Sequence, residues 1–285
     1  WLYRITCDHF LDIGHHLIYQ VRAFELLAAL GWDAADEVLS GHLLGMVHGT
    51  RHDTLPEWRW VQTRLAALAP RFPELLARGL GGRPDDAARE AIAQALAGPD
   101  RDAALDAPFA ALRDGLALES VLEALVLAAA ERVIRFDVAH DDDVTLNDGW
   151  LDITHGFTYA SALRQAAARF KEPALLRHVA FATRTLHALS ALDGDAPAPA
   201  APPQGARAEV EARVLRHPWA RPIVLAHLVK LARAAWIESE ATRDPRPLAA
   251  LGRLLDAPVR QRPLPRLVHE ARRLVRDGKV PRSRL

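Results

Sequence analysis

Residues 118–136, LESVLEALVLAAAERVIRF, are apolar on almost every face of a helix, and a helix of that kind must be surrounded by others. The rest of the chain reads as the surrounding set. Over residues 8–30, Phe10, Ile13, Leu17, Val21, Phe24 and Leu27 recur at three- and four-residue steps, and Gly31 stands where a helix would end. Asp33 is placed to cap a second helix running to about Met46. Further helical stretches follow near 57–68, 71–79, 85–97, 101–115, 150–170 and 174–192, and again near 207–216, 218–241, 246–255 and 264–276. Asn-Gly hairpins are absent and β-branched alternation is scarce. The expectation is an all-α fold: a multi-helix bundle of about ten to twelve helices, one domain over 1–285, with an exposed Pro/Ala linker at 193–206.

Charge and cysteine content narrow the function classes. The 36 basic and 36 acidic side chains cancel, which gives no support to a specific nucleic-acid partner. The distribution is uneven, however: residues 241–285 hold 12 basic against 4 acidic side chains. That tail reads as a solvated, arginine-rich face. A single cysteine, Cys7, excludes an internal disulfide, a Cys-rich zinc site and an iron–sulfur cluster held by this chain alone. No apolar run approaches the roughly 20 residues of a membrane span, so no membrane partner and a cytoplasmic location are expected. The chain starts at Trp1 rather than Met, and the expectation is a piece preceded by a further domain.

Histidine is the residue type that points to chemistry. The chain has 13, and imidazole is the commonest metal ligand. On a helix through 8–30, Asp8, Asp12, His15, Tyr19 and Arg22 would share one face, as either a packing network or a ligand site. A second segment runs from His42 to Asp53, with His48 and His52 four apart but no glutamate where a zinc-protease helix requires one. The third, DITHGFTYA over 152–160, places Asp152, His155 and Tyr159 on one face, and Gly156 beside the histidine suggests a close approach. In the fourth, PWARPIVLAHLVK over 218–230, His227 and Lys230 stand three apart on an otherwise apolar helix. Residues 140–143, His-Asp-Asp-Asp, lack the glycine and terminal glutamate of a calcium hand and read as a solvated turn.

Three of these elements together resemble the questin oxidase-like proteins, helical enzymes of aromatic polyketide tailoring: HHLI over 15–18 leading to LGW at 30–32, DITHGFTYA over 152–160, and IVLAHLVK over 223–230. The resemblance spans most of the chain through short motifs. It implies a mononuclear non-haem iron, Fe(II), held by His15, His155 and His227, with His48 as a further ligand and Lys230 as a carbamate. It implies oxidation or opening of an aromatic or quinone-like small molecule with dioxygen, and an upstream Rieske domain as a fused partner. Here the lysine follows its histidine by three, whereas the family pattern places it a turn before. With such a site, Tyr19 and Tyr159 would orient a bound phenolate. Asp12 or Asp152 would hold ligand imidazoles, and Phe24, Phe157 and Trp236 would wall an aromatic pocket.

The leading expectation is therefore a non-haem iron oxygenase, an oxidoreductase in which His15, His155 and His227 converge and the Lys230 amine shares their cavity. Two readings compete with it. One is a non-catalytic helical domain that packs against or regulates a fused redox partner, with structural histidines. The other is a hydrolase with a zinc or dinuclear site.

Overall fold

The computed structural model describes residues 1–145, 149–195, 200–218, 222–257 and 263–279, and of residues 263–266 the backbone only. Helix is the only extended regular structure among the described residues, which contain no strand, only isolated bridges such as Leu11 with Arg51. The all-α expectation holds. In chain order the helices are α1 (Leu2–Asp8), α2 (His15–Leu30), α3 (Ala35–His48), α4 (Arg59–Leu68), α5 (Phe72–Leu80), α6 (Asp86–Ala97), α7 (Arg101–Arg113), α8 (Leu118–Arg135), α9 (Ala139–Asp142), α10 (Trp150–Arg169), α11 (Leu176–Leu189), α12 (Arg207–Leu215), α13 (Pro222–Thr242), α14 (Arg246–Leu255) and α15 (Pro263–Asp277). The set exceeds ten to twelve, and α1 and α9 in it are too short to leave a periodic signal. Packing groups the chain into two compact units, residues 1–125 with 159–184 and residues 126–158 with 185–285.

The first unit is built around hairpins of adjacent helices. α2 packs on α3, and α6 on α7. Asp85 and Asp100 supply the caps that start α6 and α7: their carboxylates accept the Ala88 N–H (3.0 Å) and the Asp102 N–H (2.8 Å), respectively. An aromatic nest fills the centre. Phe10 is fully buried, with its ring 4.6 Å from Phe181, 4.7 Å from Trp58 and 5.5 Å from Tyr159. α8 is buried along most of its length, and Glu119 alone on it is exposed, as its all-round apolar sequence requires.

In the second unit, α13 packs on α14, whose Ala249, Ala250, Leu251, Leu254 and Leu255 form its buried stripe. The segment after α11 is tied to α8. Arg132 and Arg135 form ion pairs with the Asp193 carboxylate at 2.5 and 3.3 Å, and the Gly194 N–H donates to the Arg135 carbonyl at 2.8 Å. The Pro/Ala stretch thus begins anchored. Residues 196–199 of it lie outside the described residues, and from Ala201 to Ala206 only Pro203 is not exposed. The Ala201 carbonyl lies where any side chain at position 252 would be, so Gly252 of α14 is required there.

Three local expectations are corrected. The helix expected from residue 8 starts only at His15, because Asp12 and Ile13 adopt left-handed conformations (φ 45° and 51°) and Gly14 follows at φ 95°. α3 starts at Ala35 after a 3-10 turn over Trp32–Ala34, and no side chain caps it. Residues 139–142 form a helical turn in which Asp141 is buried rather than solvated.

Candidate functional site: a buried histidine pair between two helices

The turn before α2 is fixed by the segment after α3. The Asp12 N–H donates to the Thr50 carbonyl and the Thr50 N–H to the Asp12 carboxylate, both at 2.8 Å. The Ile13 N–H donates to His52 Nδ1 at 3.2 Å, and the Phe10 N–H to Asp53 at 3.2 Å. These bonds hold a backbone that its own residues disfavour, since a β-branched residue in the left-handed region costs on the order of 1–2 kcal/mol. The turn aims the Asp12 carboxylate at His16, whose Nε2 lies 3.0 Å from Oδ2.

His16 is pressed against α3. A Cβ at Gly45 would stand 3.0 Å from His16 Cε1, and one at Gly49 only 2.9 Å from Nε2 and 3.0 Å from Asp12 Oδ2. Two glycines four residues apart therefore open a slot on α3 that the imidazole and its carboxylate fill. His42, one turn back along α3, lies beside it with ring centroids 5.6 Å apart at an interplanar angle of 34°. Gln20 lies one turn along α2 from His16 and is fully buried.

The polar atoms of this cluster stand out because they are unsatisfied. His16 Nδ1, both His42 nitrogens and both terminal atoms of Gln20 are buried without a hydrogen-bond partner among the described residues. Native interiors leave few such atoms, since each costs about 1–3 kcal/mol. Burial, with His16 adding to it, pushes the His42 imidazole down to about 4, so the ring is neutral at physiological pH. Burial also raises the Asp12 carboxyl, but the Thr50 N–H, His16 and His52 outweigh it and hold its pKa below the usual value. The pair offers buried nitrogen atoms, with the ionised Asp12 carboxylate behind the His16 ring.

The residues singled out from sequence are distributed over both units. In the first, His15 opens α2 half-buried, with Nδ1 donating to the Asp12 carbonyl at 2.7 Å. Tyr19 is 44% exposed, and its ring centroid lies 5.6 Å from His15 and 5.9 Å from His16. His48 ends α3 in solvent. Tyr159 lies in the core, and its hydroxyl is 2.7 Å from His178 Nδ1. Burial drives that tyrosine well above its ordinary value and His178 down to about 3, so both are neutral. Asp8 is spent on an ion pair with Arg4 at 3.1 Å. Burial lifts the Cys7 thiol to about 12, leaving it un-ionised.

In the second unit, His155 is buried on α10. The close approach beside Gly156 comes from Leu189 and Leu186, which makes it a packing contact. Asp152 accepts the Gly149 N–H at 2.8 Å and so caps α10. On α13, His227 donates from Nδ1 to the Ile223 carbonyl (2.8 Å), and its Nε2 accepts from the Lys230 amine (3.4 Å). Burial lowers that amine to about 8. Residues 219–221 of the same motif lie outside the described residues.

Among the described residues, no group of three or more histidine, cysteine, aspartate or glutamate side chains is arranged to hold a metal ion. None of their helices is long and apolar enough to cross a membrane. No family model, no curated protein and no solved structure matches the chain.

Proposed function

We propose that the chain is a metal-dependent oxidoreductase of the questin oxidase-like kind, and that His16 and His42 provide the protein's imidazole ligands. The observation that carries this reading is the buried pair itself, with His16 Nδ1 and both His42 nitrogens unpartnered among the described residues. Two rings bonded to one ion at about 2.0–2.1 Å, at a roughly tetrahedral angle, have centroids about 5–6 Å apart. The 5.6 Å separation of His16 and His42 fits that requirement. Asp12 on Nε2 of His16 plays the part that an outer carboxylate plays at imidazole sites, fixing the tautomer and leaving Nδ1 as the donor. Gln20 offers a neutral oxygen one turn away.

His16 is taken in place of its neighbour His15 because it is buried with Nδ1 unpartnered, whereas His15 is only half-buried. An iron ion held there would supply Lewis acidity and redox chemistry toward dioxygen. The protein's own contribution is orientation. Tyr19, half in solvent beside both histidines of α2, is placed to hydrogen-bond the phenolic oxygen of an aromatic or quinone-like substrate. Electron supply by an upstream Rieske domain belongs to the same proposal.

Metal analysis of tag-free protein tests the reading. Iron is expected at about one equivalent, lost in His42→Ala and His16→Ala and kept in His15→Ala and His227→Ala. Full metal content in His42→Ala would sink the assignment. The absence of a three-ligand cluster among the described residues favours a second reading, a helical domain with structural histidines. It is supported if the protein purifies without metal and its thermal midpoint ignores both chelator and added iron.

A further inference from the structure

α15 departs from the other helices. Its large aliphatic residues fall at 264, 267, 268, 274 and 275, one stripe at helical spacing, and the last four face solvent. Leu267, Val268, Leu274 and Val275 are 60, 50, 51 and 87% exposed. A buried amphipathic helix shows the reverse. Arg272, Arg276 and Arg273 follow around the helix from the Val268 edge of the stripe, while Glu270 and Asp277 border the opposite edge. On the arginine side, Val144, Val268, His269, Arg272, Arg273 and Arg276 line an open groove of about 450 Å³.

We propose that α15 lies on an anionic phospholipid surface, its aliphatic stripe in the acyl boundary and its arginine groove on the lipid phosphates. Two independent features select this occupant. The stripe is aliphatic, without the aromatic anchors typical of protein–protein hot spots, and at 15 residues its helix is about 22 Å long. The cationic edge supplies the second attraction that a single apolar element needs for stable attachment. The region agrees in sign, since residues 241–285 carry a net charge of +8. A surface-lying helix keeps its apolar residues on one side, so a search for long apolar runs does not register it. The proposal holds whether or not a metal occupies the histidine pair.

Co-sedimentation of the full chain with vesicles tests it. The chain is expected to pellet with phosphatidylcholine vesicles containing phosphatidylglycerol, and to stay in solution with phosphatidylcholine alone. Leu274→Glu with Val275→Glu alters only exposed positions, so helicity and thermal midpoint should be unchanged while pelleting is lost. Each of Arg272→Ala and Arg273→Ala should weaken binding about five-fold and flatten its salt dependence. The proposal is overturned if anionic vesicles leave the chain in the supernatant, or if the double glutamate variant pellets as before. Capture by heparin without capture by vesicles would also overturn it, assigning the basic edge to an acidic macromolecule.

Discussion

The hydroxyl of Tyr159 and Nδ1 of His178 satisfy each other in a place water does not reach. Removing the hydroxyl takes from His178 Nδ1 its buried hydrogen-bond partner, which costs about 1–3 kcal/mol. Tyr159→Phe is therefore expected to lower the urea unfolding free energy by that amount, whereas Tyr19→Phe, at a position 44% exposed, should stay within about 0.5 kcal/mol of the parent. Equal losses in the two variants would contradict the assignment of Tyr159 to the core. Sequence could place Tyr159 on the right helix face but not identify its partner. His178 lies 19 residues further on, across the break between α10 and α11, and nothing in its neighbours distinguishes it from a surface histidine. The same holds for His16. It was legible as half of a His-His pair, but choosing between the two rings depends on where α2 begins.

At the scale of elements, the helix boundaries were legible almost throughout, because caps and prolines punctuate the chain. The turn before α2 was not, since a run of helical apolar spacing continues across it. α3 shows a second limit of pattern reading. Its apolar Leu43, Leu44 and Val47 are exposed, whereas His42 and Met46 are buried with Gly45 between them, so the burial opposes hydrophobicity. Gly14 tests the turn directly. Its φ of 95° disfavours any side chain, and a Cβ there would stand 2.5 Å from the Tyr159 ring. Left-handed strain of about 1–2 kcal/mol and overpacking of about 1–3 kcal/mol act together. Gly14→Ala should cost at least about 2 kcal/mol, read as a lowered denaturation midpoint with the denaturant slope unchanged. A midpoint within error of the parent would mean that the turn relaxes.

For the molecule as a whole, the titration of its buried groups sets how stability changes with pH. In the folded chain His42 and His178 take up protons only near 4 and 3, whereas in the unfolded chain both do so near 6.5. Unfolding below that pH therefore binds protons, and the stability these neutral rings confer is complete above about 6.5 and is lost as the pH falls toward 4 and 3. Each group contributes a slope of up to about 1.4 kcal/mol per pH unit. Asp193 opposes one of them. Burial lifts it to about 6 against the pull of Arg132 and Arg135, so the folded chain binds that proton first. For the metal-free chain the expected urea midpoint changes little above pH 7 and falls steadily from about 6.5 to about 5, with a net slope of about one proton, or about 1.4 kcal/mol per pH unit. A flat profile from pH 7 to 5 would show that the two rings are reached by water. At this scale sequence conveyed the all-α class through periodicity. The grouping into two units was not legible, because it divides α8, α10 and α11 within continuous helical runs.

The three left-handed residues Asp12, Ile13 and Gly14 also bear on how such a chain can drift. Glycine or asparagine at position 13 would occupy that conformation with less strain than isoleucine, so selection for stability alone would favour replacing it. Such a residue would hold the same turn with less strain, and the bonds from Thr50, His52 and Asp53 do not depend on the side chain at 13. The isoleucine is therefore a position where drift could strengthen the fold and keep the histidine pair aimed as it is.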